Sequence, residues 1–181
     1  MGFLDKLKNV ANMASEQLAK ANAEKEKQGL IDSLEDCASV KGANIPENAW
    51  LCLDNENKCI IIRTGIINNH HNLICEYSFD DVAVFKLKKC SESEFGSYTG
   101  FHSYLTVVLN TGEELELCNI IDKYGESNVS EYNKEREKKS NERALDIILA
   151  FAGKAEDNDT IKWANDILEA NGFSNLLEYF K

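Results

Sequence analysis

Tyr104-Leu105-Thr106-Val107-Val108-Leu109-Asn110-Thr111-Gly112-Glu113-Glu114-Leu115-Glu116-Leu117-Cys118 is the stretch that decides the fold. β-branched and apolar residues fill its first arm, Asn110-Thr111-Gly112 supplies turn chemistry, and the second arm alternates Leu115 and Leu117 with Glu114 and Glu116. Period-two alternation puts one face of a strand on a core and the other in water, so the segment reads as an antiparallel hairpin.

The same grammar extends upstream. Trp50 to Leu53 and Lys58 to Thr64 flank the turn-forming Asp54-Asn55-Glu56-Asn57, which predicts a second hairpin, with a bulge at Gly65. The polar Asn68-Asn69-His70-His71-Asn72 reads as an exposed turn before Leu73 to Ser78, and Asp80-Asp81 turns the chain into Val82 to Lys88. Residues 90–103 are rich in Ser, Gly and Glu and read as a long loop or an ill-specified strand pair.

Helices flank this β region. Phe3, Leu7, Val10, Ala14 and Leu18 recur at three-or-four spacing with Leu4 and Ala11 beside them, which predicts an amphipathic helix with a narrow, alanine-diluted stripe. Its charged second half, up to Lys27, is expected to project into solvent or act as a helical spacer, and a shorter helical segment over Leu30 to about Ser39 follows Gly29 or continues the first helix through it with a kink. Downstream, Tyr124 to Asn133 reads as loop. Glu135 to Ala152 reads as a helix that becomes apolar from Ala144, and Asp157-Asn158-Asp159 as the cap of another, ending at Asn171-Gly172. Ser174 to Phe180 is a last apolar docking segment. The expected fold class is α+β: an antiparallel meander or partly open barrel packed by a C-terminal helix, with an N-terminal amphipathic helix and extra C-terminal helices. The expected organisation is a helical segment over 1–40, a β domain with its packing helix over 48–153, and a helical extension over 154–181.

The 181 residues carry a formal net charge of −11, unevenly spread. Residues 1–29 sum to +1, residues 30–121 to −8 and residues 122–181 to −4. So acidic a body repels a phosphate backbone, which argues against nucleic-acid binding. Apolar runs are far shorter than the roughly 18 residues a membrane span needs, and the N-terminus lacks the pattern of a secretory signal. A cytoplasmic location is therefore expected, with the inner membrane face as the alternative. The six cysteines, Cys37, Cys52, Cys59, Cys75, Cys90 and Cys118, include no Cys-x-x-Cys and read as free thiols that behave as small hydrophobes.

Three segments together resemble bacterial pleckstrin-homology-like domains close to the GRAM type: Cys59 to Gly65; Ile74 to Val84, with its Tyr77-x-x-x-Asp81-Val82 step; and Tyr104 to Leu117. The likeness spans about Trp50 to Ala152. It implies an open barrel plugged by a C-terminal helix, and says little about ligands, because the fold serves lipid binders and protein binders alike.

Catalytic signatures are absent from the sequence. It has no Gly-rich phosphate loop, no Gly-x-Ser-x-Gly turn and no His-Glu-x-x-His pair. His70-His71 reads as turn, His102 as a strand end, Asp80-Asp81 as turn chemistry. Neither a cofactor nor a metal is expected. The expected function is a non-catalytic interaction module for a protein or peptide, with self-association through its helices. The alternative is a peripheral membrane protein that lays Phe3, Leu4, Leu7, Val10 and Leu18 on a lipid surface beside Lys6, Lys8 and Lys20. An enzyme of unrecognised type is the third expectation.

Overall fold

A computed structural model describes residues 3–67, 69–89, 93–95, 98–124 and 131–173; within these, the side chains of 3–12, 14, 88, 89, 93–95, 98–104, 118–124, 132, 133, 136 and 137 are left undescribed. Ser174 to Phe180, expected to dock, lie outside the described residues, as does Cys90.

The chain is α+β. Helix α1 (Phe3–Ser33) leads into strands β1 (Ala38–Lys41), β2 (Ala49–Asp54), β3 (Cys59–Thr64) and β4 (Leu73–Ser78). A 3-10 turn (Phe79–Asp81) then opens β5 (Val82–Lys89), β6 (Ser93–Phe95), β7 (Tyr98–Leu109) and β8 (Glu114–Tyr124), and helices α2 (Glu131–Ala150) and α3 (Asn158–Ala170) follow. One curled antiparallel sheet runs in the order β4-β3-β2-β1-β8-β7-β5, with the short β6 paired to β7. The last long strand thus lies beside the first, Val40 opposite Leu117.

The hairpins form as their turn residues dictate. Asp54 Oδ1 accepts from the backbone N–H groups of Glu56 (3.1 Å) and Asn57 (3.0 Å), an Asx arrangement that folds the β2–β3 corner. Gly112 has φ 84°, the left-handed conformation that glycine adopts without steric penalty. At the β4–β5 step, Ser78 caps the 3-10 turn: Asp80 N–H donates to Ser78 Oγ (3.2 Å), while Ser78 N–H donates to Asp81 Oδ2 (2.8 Å).

Alternation sorts the sheet into two faces. Val40, Leu51, Ile60, Ile62, Leu105, Val107, Leu115 and Leu117 share one core with Ala144, Ile147, Ile148 and Phe151 of α2 and Ala164 and Leu168 of α3. Phe79 and Phe151 meet edge-to-face, with ring centroids 5.2 Å apart. Each such fully buried aliphatic or aromatic side chain contributes about 1.5–3 kcal/mol in transfer from water. On the other face, Cys52, Cys59 and Ile61 form a small second cluster with Leu34.

Three expectations are corrected. Of the two readings after Gly29, continuation of the first helix holds, but α1 ends at Ser33 rather than near Ser39, and Ala38 and Val40 belong to a strand. The three-or-four spacing of Leu34, Cys37 and Ala38 fits a helix, but pairing with both β2 and β8 satisfies the backbone of 38–41 on two sides and buries Ala38 and Val40. The register shift falls between Ile62 and Arg63 rather than at Gly65. Of the two readings of 90–103, a long loop or a strand pair, the described residues take the second, with β6 paired to the start of β7, Phe95 opposite Tyr98. Helix α2 starts at Glu131, and its charged first turns carry i,i+4 pairs such as Lys139–Glu135 (3.1 Å).

The β5 edge of the sheet is occupied. Along β5, Phe85 N–H donates to Lys154 O (2.8 Å), Glu156 N–H to Phe85 O (2.9 Å), and Leu87 N–H to the buried Thr160 Oγ1 (2.9 Å). The connection into α3 therefore acts as a cover for that edge. Lys154 Nζ donates to Phe79 O (2.9 Å) and Val82 O (2.7 Å), pinning the β4–β5 corner.

Candidate interaction site at the base of helix α1

Polar side chains converge where α1 ends, on the sheet face opposite the main core. The last turn of α1 holds no basic residue of its own, although its free carbonyls and the negative end of its dipole call for a cation. Arg63 of β3 supplies one. Its guanidinium donates to Ile31 O, to Leu34 O (2.6 Å) and to Asp36 Oδ1 (2.8 Å from Nη2, 3.2 Å from Nε). The Arg63 side chain is 3% exposed and Asp36 35%, so the pair is half in water on the acid's side.

A second clamp binds α1 to the β3–β4 turn. Asp32 Oδ1 accepts from His71 N–H (2.8 Å), Asp32 Oδ2 lies 2.7 Å from His70 Nδ1, and Gln28 Nε2 donates to His71 O (2.8 Å). Side chains of α1 thereby take both backbone groups of His71, beside the edge strand β4. The His71 amide and then the His70 ring hold the Asp32 carboxyl down to about 2. Lys27 Nζ reaches Glu76 Oε2 of β4 at 2.9 Å.

Of the histidine pair, His70 is exposed as expected and His71 is not. His71 is buried, with Nδ1 2.8 Å from Thr64 O, while His70 is exposed apart from its contact with Asp32. An Asn-rich flank reads as solvent-facing turn, and nothing local in the sequence foretells a helix laid against it.

Beneath this junction lies a cleft of about 550 Å³, lined by residues 33–37 together with Leu53, Asn55, Lys139, Glu142, Arg143 and Asp146. Burial first, then the charges of Glu35 and Glu142, push the Asp146 carboxyl up. Burial likewise pushes the Cys37 and Cys52 thiols up to about 12 and Cys59 to about 11, so none is held as a thiolate nucleophile. Cys52 and Cys59 are core neighbours on one face of the β2–β3 hairpin. Among the described residues no three or more His, Cys, Asp or Glu side chains gather as metal ligands.

Every described side chain from Ser15 to Lys27 is exposed, and Leu18 is 65% exposed. Of the five candidate contact residues, Leu18 is described; the side chains of Phe3, Leu4, Leu7 and Val10 are among those left undescribed. Among the described residues no helix is long and apolar enough to cross a membrane. No family model matches the chain, and neither a curated protein nor a solved structure is significantly similar to it.

Proposed function

We propose that this chain is a pleckstrin-homology-like scaffold working as a non-catalytic interaction module, with the projecting half of α1 as its working surface. The scaffold reading is supported by the strand path. A four-strand meander, β1 to β4, is followed by a second meander through β5, β7 and β8, whose last strand returns beside the first, and α2 fills the concave side.

The observation that carries the interaction reading is the direction of α1's exposed apolar position. At 100° per residue, Leu18 lies about 140° around the helix from Ile31 and about 160° from Leu34, the residues that seat α1 on the sheet. Ile31 is 3% exposed and Leu34 packs on the second cluster. Because the helix is unbroken between these positions, Leu18 cannot turn back onto its own sheet while the clamps hold. Helical stability in proteins comes mostly from packing of an apolar face rather than from propensity, so the exposed Leu18 side of α1 calls for an outside partner. At the base of α1, by contrast, Arg63, Asp36, Asp32 and His71 are taken up by one another, which favours a structural role there over turnover.

A photo-crosslinking side chain at position 18 tests the reading in cells, with the exposed Lys162 of α3 as the reference position. Adducts to another macromolecule or to lipid are expected from position 18 and not from 162. Equal yields from the two, or none from 18, would refute it.

A further inference from the structure

Helices α1 and α2 are seated in different ways. Ala144, Ile147 and Ile148 of α2 are buried in the main core, whereas among the described side chains of α1 only Ile31 is buried. Among the described residues no backbone–backbone hydrogen bond joins α1 to the sheet. Its apolar seat is the small second cluster on the opposite face of the sheet, where Leu34 packs on Cys52, Cys59 and Ile61. The rest of its hold is side-chain clamps: Arg63 on Ile31 O and Leu34 O, Asp32 and Gln28 on His71, and Lys27 on Glu76.

We infer that α1 is a hinged arm, which swings off the sheet as a unit about the exposed Glu35 while the β domain with α2 and α3 stays folded, and which uncovers Cys59 and Ile61 when it leaves. This goes beyond the reading of α1 as the working surface and stands apart from it, since the arm opens with or without a partner. The chain just past the hinge is anchored independently of the helix. Cys37 N–H donates to Leu51 O (2.9 Å), and Arg63 donates to Asp36 Oδ1 from Nη2 (2.8 Å) and Nε (3.2 Å). On release Arg63 therefore gives up two helix carbonyls but keeps its carboxylate. No buried charge is left alone, the case in which breaking an ion pair costs most. The Lys27–Glu76 pair, with side chains 53% and 42% exposed, is of the kind that holds weakly, because water replaces each partner at little cost. A cleft of about 360 Å³ already runs beneath the arm, between Ala23, Lys27 and Leu30 on one side and Asp54, Cys59 and Ile61 on the other. An element with one buried side chain and solvent-reachable clamps opens at a lower free energy than the main core.

The full chain is tested by amide exchange and by iodoacetamide labelling at pH 8, both in urea below the unfolding transition. Amides 30–34 and the Cys59 thiol are expected to open together, at least about a hundredfold more often than the Leu105 and Val107 amides and the Cys37 thiol. Their urea dependence should be shallower than that of global unfolding, because the arm exposes little surface. Asp32→Asn should speed both arm probes about tenfold by removing the acceptor of His71 N–H. Ile147→Val, in the main core, weakens the docked and released states alike. It should therefore speed Leu105 and Val107 exchange about three- to tenfold and leave 30–34 and Cys59 unchanged. Cys59 labelling that rises with Ile147→Val in step with Leu105 and Val107, or that follows the global urea dependence, overturns the inference. A missing crosslink at position 18 beside the expected exchange pattern removes the working-surface reading and leaves the hinged arm standing.

Discussion

Replacing Arg63 by Met should unseat α1 from the sheet while preserving most of the buried volume. The substitution removes donors from Ile31 O and Leu34 O and leaves Asp36 without its partner. Two buried acceptors losing their donors cost about 1–1.5 kcal/mol each at the modest end of measured hydrogen bonds. A fully buried ion pair broken on one side costs about 3–5 kcal/mol, but Asp36 is 35% exposed and water can resolvate it, so its share falls near or below 1 kcal/mol. The expected loss is therefore about 3 kcal/mol. For a chain of this size that corresponds to a fall in Tm of about 6–12 °C. Urea unfolding followed by far-ultraviolet dichroism would read it as a lower midpoint at an unchanged slope. Amide exchange should rise first at residues 28–34, because the clamp acts on that turn. A Met variant within 1 kcal/mol of the parent, or one whose exchange rises only in the main core, would refute the claim that Arg63 terminates and seats α1.

Asp32 is a pH-dependent clamp: its folded pKa lies near 2 against an ordinary 3.8, so its contribution is complete above about pH 4 and lost as pH falls from 4 towards 2. Asp32→Asn should flatten the stability profile in that window and speed exchange of the His71 amide; an unchanged acid limb would contradict it. Thr160→Val removes the acceptor for Leu87 N–H on edge strand β5 and should cost about 1–2 kcal/mol by urea unfolding, with no effect meaning that the edge finds another partner. Gly29 sits inside α1 with open space where a Cβ would go, so Gly29→Ala should stabilise by about 0.5–1 kcal/mol, and destabilisation would signal a need for flexibility there. Alkylation at pH 8, mapped by mass spectrometry, should leave Cys37, Cys52 and Cys59 unmodified in the native chain; rapid labelling of any of them would mean that its burial is breached.

Local pattern carried much of the architecture because the relevant forces act over a few residues. Leu115 and Leu117 alternating with Glu114 and Glu116 specify a half-buried strand, and Asp54 folds its own hairpin through backbone bonds two and three residues on. Strand β1 escaped notice because four residues with one Ala and one Val give too short an alternation to outvote the helical spacing of Leu34, Cys37 and Ala38. What makes 38–41 a strand is contact with β2 and β8, the second of which arrives some 75 residues later in the chain.

The site divides along the same line. By itself the sequence determined that residues 3–18 carry an apolar stripe, that the body is acidic and that Leu18 belongs to the stripe. Only the tertiary structure decided which way Leu18 faces. Arg63 reaches across from β3 to end α1, Asp32 and Gln28 fasten it to His71, and the helical register between Ile31 and Leu18 then turns Leu18 outward. The direction of a helix face is fixed by what anchors its other end, and those anchors lie 27 to 49 residues away in sequence, beyond the reach of any periodicity.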